Sequence, residues 1–373
     1  MKIANFCVTT FAVLLIPGLF LKCGTYTEKE DGSIGDFSAL LKPVPKTSVL
    51  EADEYFIWGG SVVRGDDGLY HMFYSRWRRQ HGFNAWVTHS EIAHAVSRQP
   101  GGPFQFKDVA LPARGKAYWD GLTTHNPTIH KLNGEYFLYY MGTTGDGKAT
   151  ESLNFVHRNN QRIGVARAKN PNGPWQRLDQ PLIDVSQDQE AYDALVTNNP
   201  SVTLMKDGKI LLIYKAVARH HELPFGGPVT HLAAVSENPA GPFKKYKDPI
   251  FYIEGQKFPA EDPYIWYQKT EDQYYAIVKD MRGGFTNHAN ALAFFKSKNG
   301  LDWKPAENAL VSKTEIHWVG GAVDDVHRLE RPQLLIENGR PAMLYCAVAY
   351  GDPFQGSATA NVHIPLDQFG NKE

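Results

Sequence analysis

Five similar stretches of the chain each contain two short apolar runs joined by a polar turn. The turns of four of them contain Asp67-Gly68, Asn133-Gly134, Asp207-Gly208 and Asn338-Gly339. Asn, Asp and Gly accept the positive φ of tight turns, so each stretch predicts a β-hairpin. The hairpins begin at Gly60, Pro127, Pro200, Pro263 and Pro332.

The sequence after each of the first four hairpins repeats as well. An Ala- or Ser-rich run follows at 92–97, 163–168, 232–236 and 292–297, and a turn with an aromatic residue comes next, as in Gly173-Pro174-Trp175. This predicts four strands per unit. The unit starts are 67, 73, 63 and 69 residues apart, a spacing that suits four-stranded propeller blades. We therefore predict an all-β fold, a single five-bladed β-propeller over 49–373. A β-sandwich with coincidental hairpins is the alternative.

The N-terminal segment reads as an export signal. Lys2 precedes an apolar run over 6–21, so we assign 1–23 to a signal peptide and 24–48 to a linker. Cys23 is a candidate lipidation site, and simple cleavage or an uncleaved anchor are the alternatives. The predicted location is the periplasm, the cell surface or the medium, with a membrane contact only through this N-terminal anchor.

The charge composition limits the kind of partner that the protein binds. Of 373 residues, 39 are Lys or Arg and 40 are Asp or Glu, a near-neutral balance that argues against a nucleic-acid partner.

Two of the three cysteines, Cys7 and Cys23, lie in the leader. The domain therefore has no internal disulfide, and Cys346 within an apolar run is expected to be a buried structural thiol.

The residues that open the first strand of each blade should meet in one pocket, because these strands line the channel of a propeller. They are Trp58 and Gly59, His125 and Asn126, Asn198 and Asn199, Glu261 and Asp262, and Glu330 and Arg331. We predict that they bind substrate or act on it. The alternative is that they only satisfy backbone groups at the strand ends.

Seven residues before four of the five unit starts the chain carries an aspartate: Asp53, Asp120, Asp193 and Asp325. One or two of these would supply the second carboxylate of a hydrolytic pair. The alternative is a repeated turn or capping residue.

Basic residues follow the second strands, at 76–79, 158–162, 215–221 and 279–282, with the aromatics Trp77, Trp86 and Phe285 among them. Arg79, Lys215 and Lys279 are the candidate substrate-binding residues among them. Cations and aromatics around a concave mouth suit a sugar that carries uronate, sulfate or phosphate groups. An ordinary solvated rim is the alternative.

The motifs Glu261-Asp262-Pro263, Asn199-Pro200-Ser201-Val202 and His125-Asn126-Pro127 resemble blade-start motifs of the five-bladed glycoside hydrolases of families 43, 32, 62 and 117. The resemblance covers about 300 residues. It implies that Glu261 matches the general acid of family 43. The positions of that family's base and of the aspartate that tunes its acid hold Gly59 and Asn199 here, so the chain resembles a divergent relative with relocated carboxylates.

These observations predict an exported glycoside hydrolase, exo-acting on an acidic oligosaccharide or polysaccharide by carboxylate acid/base catalysis. Glu261 would be the proton donor, its pKa raised by Asp262 and by a pocket poor in water. Asp53, Asp120, Asp193 and Glu330 are candidates for the partner carboxylate. A phosphorylase like those of family 130 and a non-catalytic glycan-binding propeller are the alternatives. No cofactor is predicted, and no motif supports a channel metal near His125.

Overall fold

A computed structural model describes residues 34–367, which form five antiparallel four-stranded sheets. The predicted signal peptide, with Cys7 and Cys23, lies outside the described residues, as do the first ten residues of the predicted linker and the six C-terminal residues. The five-bladed β-propeller predicted from the repeats is confirmed.

The strands are β1 Val49–Glu51, β2 Tyr55–Arg64, β3 Tyr70–Arg78, β4 Glu91–Ser97, β5 Gln105–Leu111, β6 Thr123–Leu132, β7 Glu135–Thr143, β8 Arg162–Ala168, β9 Gln176–Arg177, β10 Val196–Leu204, β11 Ile210–Val217, β12 Val229–Ser236, β13 Lys244–Lys245, β14 Ala260–Gln268, β15 Gln273–Asp280, β16 Leu292–Ser297, β17 Lys304–Ser312, β18 Glu315–His317, β19 Val323–Asp325, β20 Arg328–Glu337, β21 Arg340–Ala349 and β22 Thr359–Pro365. The helices are α1 Trp86–His89, α2 Phe155–Asn159 and the 3-10 helices Ser38–Leu40, Arg79–His81, Phe83–Ala85, Lys269–Glu271 and Pro353–Gln355. Within 34–367 none of them has the length and apolar character needed to cross a membrane.

Blades 1 to 4 each use four consecutive strands, β2 to β5, β6 to β9, β10 to β13 and β14 to β17. Blade 5 combines β20, β21 and β22 with β1, which comes from the start of the domain. In the β1–β22 ladder Val49 lies opposite Val362 and Glu51 opposite Ala360. The ring is thus closed by strands from both ends of the chain, and β18 with β19 forms a separate hairpin.

The hairpin turns have the backbone conformation that their residues predicted. In the Asn-Gly turns both residues have positive φ, 52° and 82° for Asn133 and Gly134. In the Asp-Gly turns the positive φ falls on the glycine, as at Gly68 with 79°. Local sequence therefore fixes where the first two strands of these blades reverse.

The core lies between neighbouring blades. Leu212 and Tyr214 of blade 3, for example, share a buried cluster with Tyr139 and Val165 of blade 2. The repeated aromatics join the same interfaces: Trp175 of blade 2 packs edge-on against Phe73 of blade 1, with ring centroids 5.3 Å apart. These aromatics therefore hold each blade to the preceding one.

Cys346 is fully buried between blades 4 and 5, as predicted. Burial raises the pKa of its thiol. An uncharged thiol in an apolar cluster has a packing role.

The second half of the predicted linker is not a linker. Ile34, Phe37, Leu40 and Val44 are all at most 4% exposed and belong to the cluster between blades 4 and 5. The backbone N–H of Val44 donates to the carbonyl of His317, 2.7 Å away. Polar residues between these four apolar side chains obscured the pattern, and the compact unit that contains the propeller begins at Ile34.

Candidate active site

The first strand of every blade is interrupted at the same place. The register shifts between Trp58 and Ser61 in β2, and at the equivalent points of β6, β10, β14 and β20. One residue in each interruption has a left-handed backbone: Gly59, Asn126, Asn199, Asp262 and Arg331, with φ between 48° and 54°. Such β-bulges re-aim side chains and are common beside active sites.

Four of these five residues form a continuous polar chain across the channel. Asn126 Nδ2 donates to Asn199 Oδ1 at 2.7 Å, and Asn199 Nδ2 donates to Asp262 Oδ1 at 2.6 Å. Arg331 Nη1 donates to the same Asp262 oxygen at 3.3 Å. The fifth residue is Gly59, where an added Cβ would lie 3.3 Å from Arg331 Nε. The glycine leaves the room that the buried arginine fills.

A cavity of about 130 Å³ is lined by three members of this hydrogen-bonded series, Asn126, Asn199 and Asp262. Its lining includes one or two leading residues from every blade, namely Trp58, His125, Asn126, Asn199, Glu261, Asp262 and Glu330. The carboxyl groups come from blades 4 and 5. The structure therefore brings most of the predicted site residues into one central pocket.

Part of the pocket lining forms an aromatic wall, which comes mainly from blade 1 and the segment after β3. It consists of Trp58, Trp77, Phe83 and Trp86. Phe83 packs edge-on against Trp58 at 5.6 Å, and the ring of Trp86 lies 5.1 Å from that of His125. A wall of large rings facing a few polar groups is typical of a small-molecule site.

A lysine pairs with each of the two glutamates. Lys215 of β11 lies opposite Asn198 within blade 3, yet its Nζ reaches Glu261 Oε1 of blade 4 at 2.5 Å. Lys279 lies opposite Glu261 within blade 4 and pairs in the same way with Glu330 of blade 5. The second strand of one blade thus supplies a cation to the first strand of the next.

Lys215 reverses the predicted protonation of the Glu261 and Asp262 carboxyls. Burial by itself would raise the pKa of Glu261, but the ammonium groups of Lys215 and Lys279 outweigh it and lower that pKa to about 2. The pKa of Asp262 is raised to about 6, mainly by burial. The negative charge of Glu261 adds to this rise, and the positive charge of Arg331 opposes it. The raised pKa expected for Glu261 is therefore wrong, and the carboxyl whose pKa is raised is Asp262.

His125 is neutral. Burial, with the charges of Arg331 and Lys215, lowers its pKa well below the ordinary value. Its Nδ1 shares a 2.8 Å hydrogen bond with Ser90 Oγ. Within 34–367 no group of three or more His, Cys, Asp or Glu side chains is placed to hold a metal ion.

The three aspartates proposed as partner carboxylates are not among the residues that line the pocket. Asp120 is fully buried elsewhere and accepts from Arg114 Nε at 2.6 Å and from the Tyr140 hydroxyl at 2.7 Å. Asp193 accepts from the Tyr214 hydroxyl and from Lys245 Nζ. These two fix the outer part of a blade, because Arg177 of β9 and Lys245 of β13 pair with them.

The remaining aspartates of this set are exposed. Asp53 lies in the turn between β1 and β2, and Asp325 ends β19. The alternative of a repeated structural residue fits Asp120 and Asp193. Of the predicted partner carboxylates, only Glu330 lies in the pocket.

The predicted basic substrate binders divide into two groups. Lys215 lines the pocket, and Lys279 and Arg331 support it through their ion pairs with Glu330 and Asp262. Arg79 does not line the pocket and instead donates to the carbonyl of Gly356. Arg76 and Arg162 pair with Glu91 and Asp184, so much of the predicted basic rim is engaged within the protein.

Sequence reasoning missed two pocket residues, Phe83 and Arg328. Arg328 pairs with Glu330 at 3.3 Å, and its guanidinium lies over the rings of Phe83 and Phe354. It stands two residues before Glu330 and so shares its side of β20, a period-2 signal available in the sequence. Phe83 begins the short 3-10 helix Phe83–Ala85, outside the repeated strands, and gave no such signal.

No model of a known protein family matches the sequence, and no curated protein sequence does. Solved structures match it across most of its length. A family 117 glycoside hydrolase of the marine bacterium Zobellia galactanivorans is 17% identical, with a TM-score of 0.60 over 89% of this chain and 91% of that one.

The protein BT0996, solved as a complex with RGII, is 15% identical, with a TM-score of 0.64 over 90% of this sequence and 94% of that one. A thermostable family 43 glycoside hydrolase is 13% identical, with a TM-score of 0.58 over 90% and 94%. Likeness at these identities establishes the shared five-bladed fold.

Proposed function

We propose that this protein is a glycoside hydrolase whose active site is the central pocket. The observation that carries the proposal is the pocket itself: carboxyls from blades 4 and 5 share its lining with four aromatic side chains. Glycosidic cleavage needs one carboxyl that donates a proton and one carboxylate that attacks or activates water. The named glycoside hydrolases that share the fold support the same conclusion.

Asp262 is assigned as the proton donor and Glu330 as the base or nucleophile. Asp262 has a pKa near 6 and so keeps its proton in mildly acidic solution. Glu330 forms ion pairs with Lys279 and Arg328, which suit a carboxylate. Glu261, paired with Lys215, reinforces the raised pKa of Asp262 by its negative charge and lines the pocket beside it.

The pocket favours exo action on an acidic sugar. A cavity of about 130 Å³ is smaller than the roughly 300–1,000 Å³ of pockets for drug-sized ligands, so it suits one terminal sugar rather than a passing chain. Four cations, Lys215, Lys279, Arg328 and Arg331, are paired with only three carboxyls, Glu261, Asp262 and Glu330. The balance is therefore positive, which favours a uronate or sulfate group. The predicted leader makes an exported enzyme part of the proposal.

A non-catalytic glycan-binding protein is the second candidate. It is favoured by the absence of a carboxyl among the pocket residues of blades 1 to 3. A binding protein would hold sugars against the aromatic wall without cleaving them.

Product analysis distinguishes these functions. The purified protein is incubated with acidic and neutral oligosaccharides of plant and algal origin, with and without inorganic phosphate. The proposal predicts release of one free terminal sugar per cleavage, independent of phosphate. Sugar phosphate as the product would identify a phosphorylase, and binding without cleavage of any oligosaccharide would identify the second candidate.

A further inference from the structure

A second cavity of about 590 Å³ opens on the same face of the propeller, between blades 3 and 4. Its walls are the loop after β11 and the segment before β14, and both of these connections lie where the first strands begin. The rings of Phe225 and Phe258 line it, and half of the Phe225 side chain is exposed. The proposed catalysis does not use this cavity.

The charged side chains around the second cavity are mostly basic. His221, Lys257 and Arg282 line it, against the single acidic side chain of Glu222. Within 34–367 the structure shows no hydrogen bond or ion pair for the side chains of these three basic residues. By contrast, three basic residues at strand ends, Arg76, Arg78 and Arg162, pair with carboxylates. Three basic side chains without a carboxylate partner are thus grouped around one cavity.

The walls of the cavity are held in place. Arg158 Nη1 donates to the carbonyl of Phe225 at 2.6 Å and its guanidinium lies 5.1 Å from that ring. On the other side, the carboxylate of Asp280 accepts from the backbone N–H groups of Gly283, Gly284 and Phe285 at 2.8 to 3.0 Å. Arg282 therefore projects from an ordered loop.

The cavity adjoins the central pocket. Phe258 lines the cavity, and Lys215 Nζ of the pocket lies 5.7 Å from the centre of its ring. Lys215 also pairs with Glu261. A chain of sugars with its terminal unit in the pocket would pass this edge next.

We infer that the second cavity binds an anionic sugar, carrying a carboxylate or sulfate, on the leaving-group side of the scissile bond. Arg282, Lys257 and His221 would receive the acidic group, and the two phenylalanine rings would contact the apolar face of the sugar. The inference rests on the proposed function for its direction along the chain. The binding itself does not depend on catalysis.

Calorimetric binding at low and high salt tests the inference without relying on turnover. The probes are oligogalacturonides, alginate oligosaccharides and sulfated galactan oligosaccharides of three to five sugars, each beside its carboxyl-reduced or desulfated form. The test variant is Lys257→Gln with Arg282→Gln. The matched control is Lys247→Gln with Lys298→Gln, which removes the same charge from exposed lysines outside both cavities.

At least one acidic probe should bind wild type and the control alike, bind the test variant roughly tenfold more weakly and lose affinity with salt. Its neutralised form should bind all three proteins equally. Equal affinity of the test variant and wild type for every acidic probe, or no binding of any acidic probe, would overturn the inference. Acidic binding that needs Arg282 and Lys257, without cleavage of any glycan, would refute the proposed hydrolase and leave the anion-binding role of the second cavity standing.

Discussion

At the scale of single residues, Lys215 sets which of two adjacent carboxyls holds a proton. Its positive charge lowers the pKa of both Glu261 and Asp262. Replacing Lys215 by Met should therefore raise the pKa of the proton donor. Because the donor acts only when protonated, the decline of kcat/KM at high pH should move upward from about pH 6.

The pH profile of kcat/KM measures this shift, with Lys298→Met as the control. Lys298 is exposed and lies outside the pocket, so its replacement should leave the profile unchanged. An unchanged or downward-shifted decline in Lys215→Met would show that this lysine does not control the donor.

Gly59 is the second residue with a specific consequence. Its φ of 53° disfavours any side chain, and an added Cβ would press on Arg331. Gly134 also has positive φ, 82°, but open space around it, so Gly134→Ala isolates the backbone strain of about 1–2 kcal/mol.

Gly59→Ala should destabilise the protein by more than Gly134→Ala and should also lower turnover, because Arg331 holds Asp262. Urea unfolding and kcat for both variants measure these effects. Equal effects of the two substitutions on stability, with normal turnover, would contradict the account of Arg331.

The positions of the site residues could be predicted from the sequence, but their charge states could not. Glu261, Glu330 and His125 stand at equivalent positions of the repeat, and equivalent residues of a repeat occupy equivalent places in the fold. The state of Glu261 depends on Lys215, which reaches it from the neighbouring blade. That approach comes from the angle between two blades, which the sequence of one blade does not encode.

At the scale of elements, the repeated aspartates link the outer strands to their blades. Asp120 is fully buried and pairs with Arg114 and Arg177. Asp120→Asn should cost about 3 kcal/mol of unfolding free energy, because it leaves the largely buried Arg177 without a carboxylate and Arg114 with only the exposed Asp179. Turnover at a temperature well below unfolding should stay within a few-fold of wild type.

Chemical denaturation and kcat test this assignment, with Asp53→Asn as the control. Asp53 is exposed, so its replacement should change stability by no more than about 0.5 kcal/mol. Wild-type stability of Asp120→Asn together with lost turnover would return Asp120 to the catalytic candidates.

These aspartates also show where reasoning from elements fails. Their constant distance from each blade start indicated a shared role, and two of them do share one. Their partners Tyr140 and Tyr214 lie in second strands, whereas Arg177 and Lys245 lie in two-residue fourth strands. Such short strands carry no hydrophobic period, so the sequence did not indicate what the aspartates bind.

At the scale of the whole molecule, buried neutral histidines make stability depend on pH. Burial lowers the pKa of His231 to about 3 and that of His363 to about 4, from an ordinary value of 6.5. The unfolded chain therefore binds more protons below pH 6.5, and stability falls as the pH drops from 6.5 towards 4. Each histidine contributes at most about 2 kcal/mol of this loss by about pH 5.

Unfolding free energies between about pH 7 and pH 5 measure the loss. In His231→Leu the slope of unfolding free energy against pH should correspond to about one fewer proton taken up on unfolding. The reason is that the His231 ring is fully buried and neither nitrogen has a hydrogen-bond partner within 34–367. Stability that stays constant down to pH 5 would contradict the neutral state of these histidines.

The number of blades and their order were predictable at this scale, because each hairpin repeats a local pattern. The N-terminal packing was not. Ile34 to Val44 occurs once, and its place between blades 4 and 5 depends on closure of the ring by β1 and β22. A segment that does not repeat offers no internal comparison from which its role can be read.

Chemical rescue of Glu330→Ala by azide tests the central claim, that the pocket is a hydrolytic site with Glu330 as base or nucleophile. On a substrate that wild type cleaves, the variant should lose roughly two to four orders of magnitude in turnover. Azide should restore part of it and yield a glycosyl azide, while Asp120→Ala should form no such adduct. Turnover of Glu330→Ala within a few-fold of wild type, or no azide product despite lost turnover, would contradict the claim.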